Sequence, residues 1–222
     1  MKKIVIIGAS GHAKVIIDII EKRNEYQIIG LIDSYKKPSQ KIMGYPILGK
    51  ESLIPELMEK QNIIGGIIAI GDNWSRNKVR DVIEKIAPKF KFLPAIHPNA
   101  ILCNNLKIES GVVIMAGVIV NAASTIKEFC ILNTNSSLGH DSVMDHFSSL
   151  APNSTIGGHV NIGAFSAISI GATVIQNVTI GMHTIIGAGS LVLKNIGNNI
   201  LAYGVPTKKI KDREIGEPYL AK

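Results

Sequence analysis

The chain of 222 residues is poor in cysteine (two), in aromatic residues (5%, with one tryptophan) and in charge (18%). Two cysteines exclude a disulfide-built scaffold. The scarcity of rings, with no interleaving of aromatic and basic residues, argues against a nucleic-acid partner. No apolar run approaches the ~18 residues of a membrane span, so none is expected. The opening Met-Lys-Lys-Ile-Val-Ile-Ile-Gly begins like a secretory signal but breaks at Gly8. No leader is therefore expected, and the expected location is a reducing cytoplasm. What is plentiful is aliphatic: 46% of residues are apolar, which excludes a disordered chain.

The net charge of +7 is unevenly distributed. Residues 1–95 carry +6, residues 96–197 carry −1 with only seven charged side chains, and residues 198–222 carry +2. Many of the N-terminal lysines sit beside acids on expected helices, as in Glu21-Lys22-Arg23, and read as solvated faces. The residual positive field suits a small anion such as a nucleotide.

A six-residue repeat governs residues 96–197. Stepping by six from Ile96 gives Leu102, Ile108, Ile114, Val120, Ile126, Leu132, Leu138, Met144, Leu150, Ile156, Ile162, Ile168, Val174, Ile180, Ile186 and Val192. With roughly a third of the chain Ile, Leu, Val or Met, chance would give such a run about once in a hundred million. Four residues after each anchor stands a small side chain, except at Leu106 and Ile196. Neither a helical period nor strand alternation produces this pattern. Three hexads close a triangular coil, and stacking coils at ~4.8 Å gives a prism roughly 27 Å tall. Its apolar faces imply an oligomer. This pattern resembles the left-handed parallel β-helix of hexapeptide-repeat acyltransferases. The resemblance implies handedness, a homotrimer, and acetyl-CoA in the groove between neighbouring prisms.

Residues 1–95 read as a Rossmann-like α/β unit, because strands alternate with helices. Strands are expected at Lys3–Gly8, Gln27–Asp33, Ile63–Gly71 and Lys91–Ala95, with helices at Ala13–Arg23 and Ser75–Ala87. The turn Gly8-Ala-Ser-Gly-His12 lacks the third glycine of a dinucleotide fingerprint. It permits close approach of a phosphate to the helix N-terminus; read structurally, it is a β–α turn capped by Ser10. Both readings stand at this point.

Together, GASGH, Leu31-Ile-Asp-Ser34, Ala69-Ile-Gly-Asp-Asn73 and the hexads resemble one subgroup across essentially the whole chain. These are the bacterial UDP-4-amino-4,6-dideoxy-sugar N-acetyltransferases of the bacillosamine pathway and their sialic acid O-acetyltransferase-like relatives. The resemblance implies that residues 1–95 bind a nucleotide sugar through Ser10, Gly11, His12, Asp33, Ser34 and Gly71. Family members can carry two acids at the positions of Asp33 and Ser34, so Ser34 bears on base or sugar selectivity.

Of six histidines, His140 lies in Asn133-Thr-Asn-Ser-Ser-Leu-Gly-His-Asp141, which is similar to the family's catalytic stretch. By that resemblance His140 is the general base and Asp141 its modulator, in place of the Glu expected of near relatives. His159 stacks on Asp141 by coil arithmetic, whereas His146 lies one face away. These spacings do not match three converging zinc ligands, so no metal is expected. The resemblance also implies a cofactor surface of Ser149, Gly158, Ile170 and Ala188, with the Gly158 N–H facing the oxyanion and Ser149 replacing a histidine. The tail Tyr203-Gly-Val-Pro-Thr-Lys-Lys209 resembles the family's closing segment, and its lysines either meet CoA phosphates or are solvated. The expected function is acetyl-CoA-dependent N-acetylation of a nucleotide-linked 4-amino-4,6-dideoxy sugar. The alternatives are O-acetylation of a sialic acid or other sugar, and a non-catalytic nucleotide-sugar-binding scaffold.

Overall fold

The computed structural model describes residues 1–220, so the final two residues of the expected tail, 198–222, lie outside the described residues. The chain divides into two compact units: Met1–Gly71 with Ser75–Pro98, and Asp72–Trp74 with the chain from Asn99 onward.

The first unit is α/β. Its elements are β1 (Lys2–Ile7), α1 (Gly11–Arg23), β2 (Tyr26–Ile32), β3 (Lys41–Ile42), β4 (Tyr45–Gly49), α2 (Ile54–Gln61), β5 (Ile63–Ile68), α3 (Asn73–Ile86) and β6 (Lys91–Phe92). The sheet order is β3-β4-β2-β1-β5-β6, parallel except for the β3–β4 hairpin. Central β1 buries Ile4, Val5, Ile6 and Ile7 completely, as expected of a strand covered on both faces. Helix α1 lays Ala13, Ile16, Ile17 and Ile20 on the sheet at helical spacing and ends at Asn24, whose φ of 52° lets its N–H bond Ile20 O.

The sequence reading misses β3, β4 and α2. The hairpin turns at Met43-Gly44, both at positive φ (48° and 87°), the geometry of a type I′ turn without its usual Asn-Gly signature. Strand β4 contains Pro46, which weakens its strand signal. The expected strand to Gly71 stops at Ile68, where Ala69 turns away after bonding Ile7 O at 2.6 Å. The last expected strand, Lys91–Ala95, is divided into Lys91–Phe92 and the start of a second short strand, Ala95–Ile96.

The second unit is a left-handed parallel β-helix. Anchors from Leu102 to Val192 end two-residue strands, except Ile108, which makes a single bridge to Ile126. Up to Thr173–Val174, each strand pairs with the one three hexads further along, as in Ile119↔Ser137, Ser137↔Thr155 and Thr155↔Thr173. Every anchor from Ile114 to Val192 is buried, contributing roughly 1.5–3 kcal/mol each. From Val118 to Ser190 the small residues four positions on are buried too, and their hydroxyls stitch the corners. Ser142 Oγ donates to Gly157 O (3.1 Å) and accepts from Val160 N (3.0 Å), and Ser166 repeats this with Gly181 O and Thr184 N.

From Leu102 to Ile186, the residue three after each anchor turns the corner in the left-handed region. From Leu132 to Ile162 it is Asn135, Asp141, Phe147, Asn153, His159 and Phe165 in succession, all between φ 56° and 62°. Aromatic side chains occupy one such column rather than the interior. Phe129, Phe147, Phe165 and His183 stack one per coil, with ring centroids 4.7, 5.3 and 4.7 Å apart. Trp74 meets Phe165 and His183 edge-on. The stack ends in an antiparallel hairpin of Ile200–Gly204 and Thr207–Asp212.

Candidate active site

His140 and Asp141 form the corner between the strands Ser137–Leu138 and Val143–Met144. Positive φ at Asp141 (56°) turns its carboxylate toward the preceding ring. His140 Nδ1 lies 2.7 Å from Asp141 Oδ2. One coil further, His159 places Nε2 at 3.7 Å from the same oxygen, and the two imidazoles meet edge-on at 5.1 Å. The contact between Asp141 and His159 anticipated from coil arithmetic therefore exists as a long ion-pair distance. The bond from His140 holds the Asp141 carboxyl below its ordinary range, and the His159 and His140 charges act in the same direction while desolvation opposes them.

Gly158 occupies the equivalent place one coil on from His140, and a Cβ there would meet His140 Nε2 at 2.5 Å. The imidazole thus lies over a backbone with no side chain. The ligand atoms of His140, Asp141 and His159 lie within 4.8 Å of one another. Zinc bonds of ~2.0–2.2 Å need tetrahedral ligand atoms ~3.3 Å apart. The 2.7 Å contact is instead that of a charge-assisted hydrogen bond. His146 is held at the next corner, 3.7 Å from Asp145.

Ile170 and Ala188 stack as expected, with Gly189 N–H bonding Ile170 O at 2.9 Å, and both are exposed. They turn a different corner of the coil from His140, so a single chain does not bring the two groups together. Ser149, on the strand Ser149–Leu150, is half-buried, and its hydroxyl accepts from Asn73 Nδ2 at 3.1 Å. Asn73 also donates to Ser166 O at 3.1 Å, a contact that sequence reasoning missed because the partners are 93 residues apart.

In the first unit, Ser10, Asp33, Ser34 and Gly71 line a cleft of about 460 Å³ together with Gly8, Ala9, Tyr35, Glu51, Ile70, Ser75, Lys78 and Val79. Gly8 permits this shape: its φ is 100°, and a Cβ would meet Ala69 O at 2.9 Å. Ser10 is the N-cap residue of α1 but makes no side-chain capping bond, so the capping role read for it is not fulfilled.

Gly11 and His12 do not line the cleft. His12 is half-buried, and its ring Nε2 is shut away from solvent with no hydrogen-bond partner. Burial of the ring, followed by the Arg76 charge, lowers its pKa to about 4. Arg76 is itself fully buried, donating to Ile70 O (2.9 Å) and Gly71 O (3.0 Å). Asp33 accepts backbone N–H bonds from Ala9 (2.9 Å), Tyr35 (2.8 Å) and Lys36 (3.1 Å). Ser34 Oγ donates to the Glu51 carboxylate. Sequence reasoning missed Glu51, because β4 leads it back to Ser34 from 17 residues away.

Known proteins match both units. The PglD N-terminal domain family matches residues 3–83. UDP-N-acetylbacillosamine N-acetyltransferase of Bacillus subtilis (strain 168) is 31% identical over 116 residues. That match spans 52% of each protein, about half of this relative's length. Perosamine N-acetyltransferase from Caulobacter crescentus has been solved with one histidine changed to asparagine, in complex with CoA and GDP-perosamine. It is 35% identical over 96% of this chain and 98% of that one, with a TM-score of 0.89. The acetyltransferase domain of PglB from Neisseria gonorrhoeae FA1090, in complex with acetyl coenzyme A, is 28% identical. That likeness covers 94% of this chain and 99% of the domain, with a TM-score of 0.85. With the β-helix, the PglD-type first unit and near-full-length likeness to such an enzyme, the chain belongs to the hexapeptide-repeat nucleotide-sugar N-acetyltransferases.

Proposed function

We propose that this protein transfers the acetyl group of acetyl-CoA to the amine of a nucleotide-linked 4-amino-4,6-dideoxy sugar. The observation that carries the reading is the His140–Asp141 contact of 2.7 Å. A carboxylate on Nδ1–H fixes the tautomer and leaves Nε2 as the basic atom. The amine attacks the thioester carbonyl, Nε2 takes the ammonium proton, and the tetrahedral intermediate collapses by expelling the CoA thiolate. The protonated imidazole can return that proton to the thiolate, so amide and thiol are formed with the base regenerated. General-base catalysis of this kind contributes ~100- to 10,000-fold. Gly158 N–H is the proposed donor to the developing oxyanion.

The cleft lined by Ser10, Asp33, Ser34 and Gly71 is the proposed nucleotide site, and Ser149, Ile170 and Ala188 form the proposed acetyl-CoA surface. That Ile170 and Ala188 turn a different corner from His140 supports a homotrimer in which one subunit's base faces the CoA surface of the next. The Caulobacter relative is solved with a GDP sugar and the Bacillus relative bears the name of a UDP-sugar enzyme, so the family accommodates both nucleotides. Release of free thiol from acetyl-CoA, measured with GDP- and UDP-linked 4-amino sugars, tests the reading. Turnover with the amines is expected; turnover only with hydroxyl acceptors such as sialic acid would overturn it. Light scattering should give a trimer.

A further inference from the structure

The first unit's cleft is lined by the Gly8–Ser10 turn at the start of α1, by Lys78, and by Asp33, Ser34, Tyr35 and Glu51. Its two carboxylates are differently engaged. Asp33 already receives three backbone N–H groups, from Ala9, Tyr35 and Lys36, and so braces the loop. Glu51 is half-buried and receives the Ser34 hydroxyl on Oε2. That bond fixes the plane of the carboxylate and leaves acceptor capacity at the cleft, since an ionised carboxylate has about four lone-pair sites. Beside it, Tyr35 is 98% exposed, a ring that none of the described residues covers.

We propose that Glu51, oriented by Ser34, is the residue that selects the nucleotide base, and that the base is guanine. A fixed carboxylate accepts hydrogen bonds and donates none, so it favours an edge with adjacent donors. Guanine offers two, N1–H and the 2-amino group, at a spacing that matches the two oxygens of a carboxylate. Uracil offers one N3–H flanked by two carbonyl oxygens, which a carboxylate repels. The exposed ring of Tyr35 supplies a face on which a purine stacks. Ser34, where family members can carry a second acid, thereby becomes the support of an acid delivered from elsewhere in the chain.

This inference rests on the reading above for the presence of a nucleotide-linked acceptor. Its test therefore measures nucleotide binding alone. Titration calorimetry on the full chain with GDP, UDP and inosine diphosphate, which lacks the 2-amino group, is the experiment. GDP is expected to bind about tenfold more tightly than UDP, and inosine diphosphate about tenfold more weakly than GDP. Glu51→Gln should weaken GDP about tenfold and affect UDP much less, and Ser34→Ala should weaken GDP severalfold. Equal or tighter binding of UDP, no loss with inosine diphosphate, or no binding of any of the three overturns the proposal. The inosine comparison uses the unaltered protein, so poor folding of a variant does not protect the idea. Guanine preference without acetyl transfer would sink the enzymatic reading alone; acetyl transfer with uracil preference would sink this one alone.

Discussion

His140 rests on Gly158, one coil away, with Nε2 standing 2.5 Å from where a Cβ on that glycine would lie. Gly158 is not at positive φ, so its backbone tolerates alanine, and the atom in the way belongs to a half-exposed side chain. Gly158→Ala should therefore displace the ring and leave the fold intact. We expect kcat to fall roughly 10- to 100-fold, as misplacements of about 1 Å do, with Tm changed by at most about 3 °C. Unchanged kcat would mean that the ring position does not matter.

Replacing the proposed base itself should cost more. His140→Ala is expected to lower kcat about 100- to 10,000-fold, with KM for acetyl-CoA within about threefold. Asp141→Asn should lower kcat at least about tenfold through loss of the fixed tautomer. Steady-state kinetics on both variants decide this, and near-wild-type kcat in His140→Ala would remove it as the base.

Acid should destabilise the first unit through His12. Its imidazole titrates at about 4 when folded and near 6.5 when unfolded. Between these values the unfolded chain binds the extra proton, so stability is fully present above about pH 6.5 and is lost as pH falls toward 4. The loss below both values is about 3 kcal/mol. His97, lowered by burial and then Lys22, and His183, lowered by burial and then Arg213, act with the same sign. Urea melts at pH 7 and pH 4.5 should show the loss, and His12→Gln should remove a large part of it.

The aromatic column predicts a structural cost away from any chemistry. Phe147 is buried between the parallel rings of Phe129 and Phe165, at 4.7 and 5.3 Å. Phe147→Ala should cost about 3–5 kcal/mol, a fall in Tm of roughly 6–20 °C by calorimetry. A smaller fall would show that neighbouring coils close the gap.

The β-helix was legible because its period is a backbone property. Anchors at six-residue intervals determine which side chains enter the axis, and Asp141 and His159 fall into register by counting. The hairpin that leads to Glu51 was not legible. Its strands are short, one holds a proline, and its turn uses Met43 in a conformation usually given to Asn. Ser34–Glu51 and Asn73–Ser149 are likewise products of tertiary approach, and no local pattern encodes them. Ser10 shows the converse: the residue type suited a cap, but the side chain makes no such bond.

The repeated corner that holds His140 has a consequence for how such enzymes change. Successive coils present Ala122-Ala123, His140-Asp141, Gly158-His159 and Gln176-Asn177 on nearly interchangeable pedestals, all turning through the same left-handed residue. Of these four, the His140 pedestal alone has a glycine one storey on, where a Cβ would meet the ring. The address of the proposed base is written by a vacancy in the adjacent coil as much as by the histidine. Moving it by one storey to 122–123 would require position 140 to become glycine.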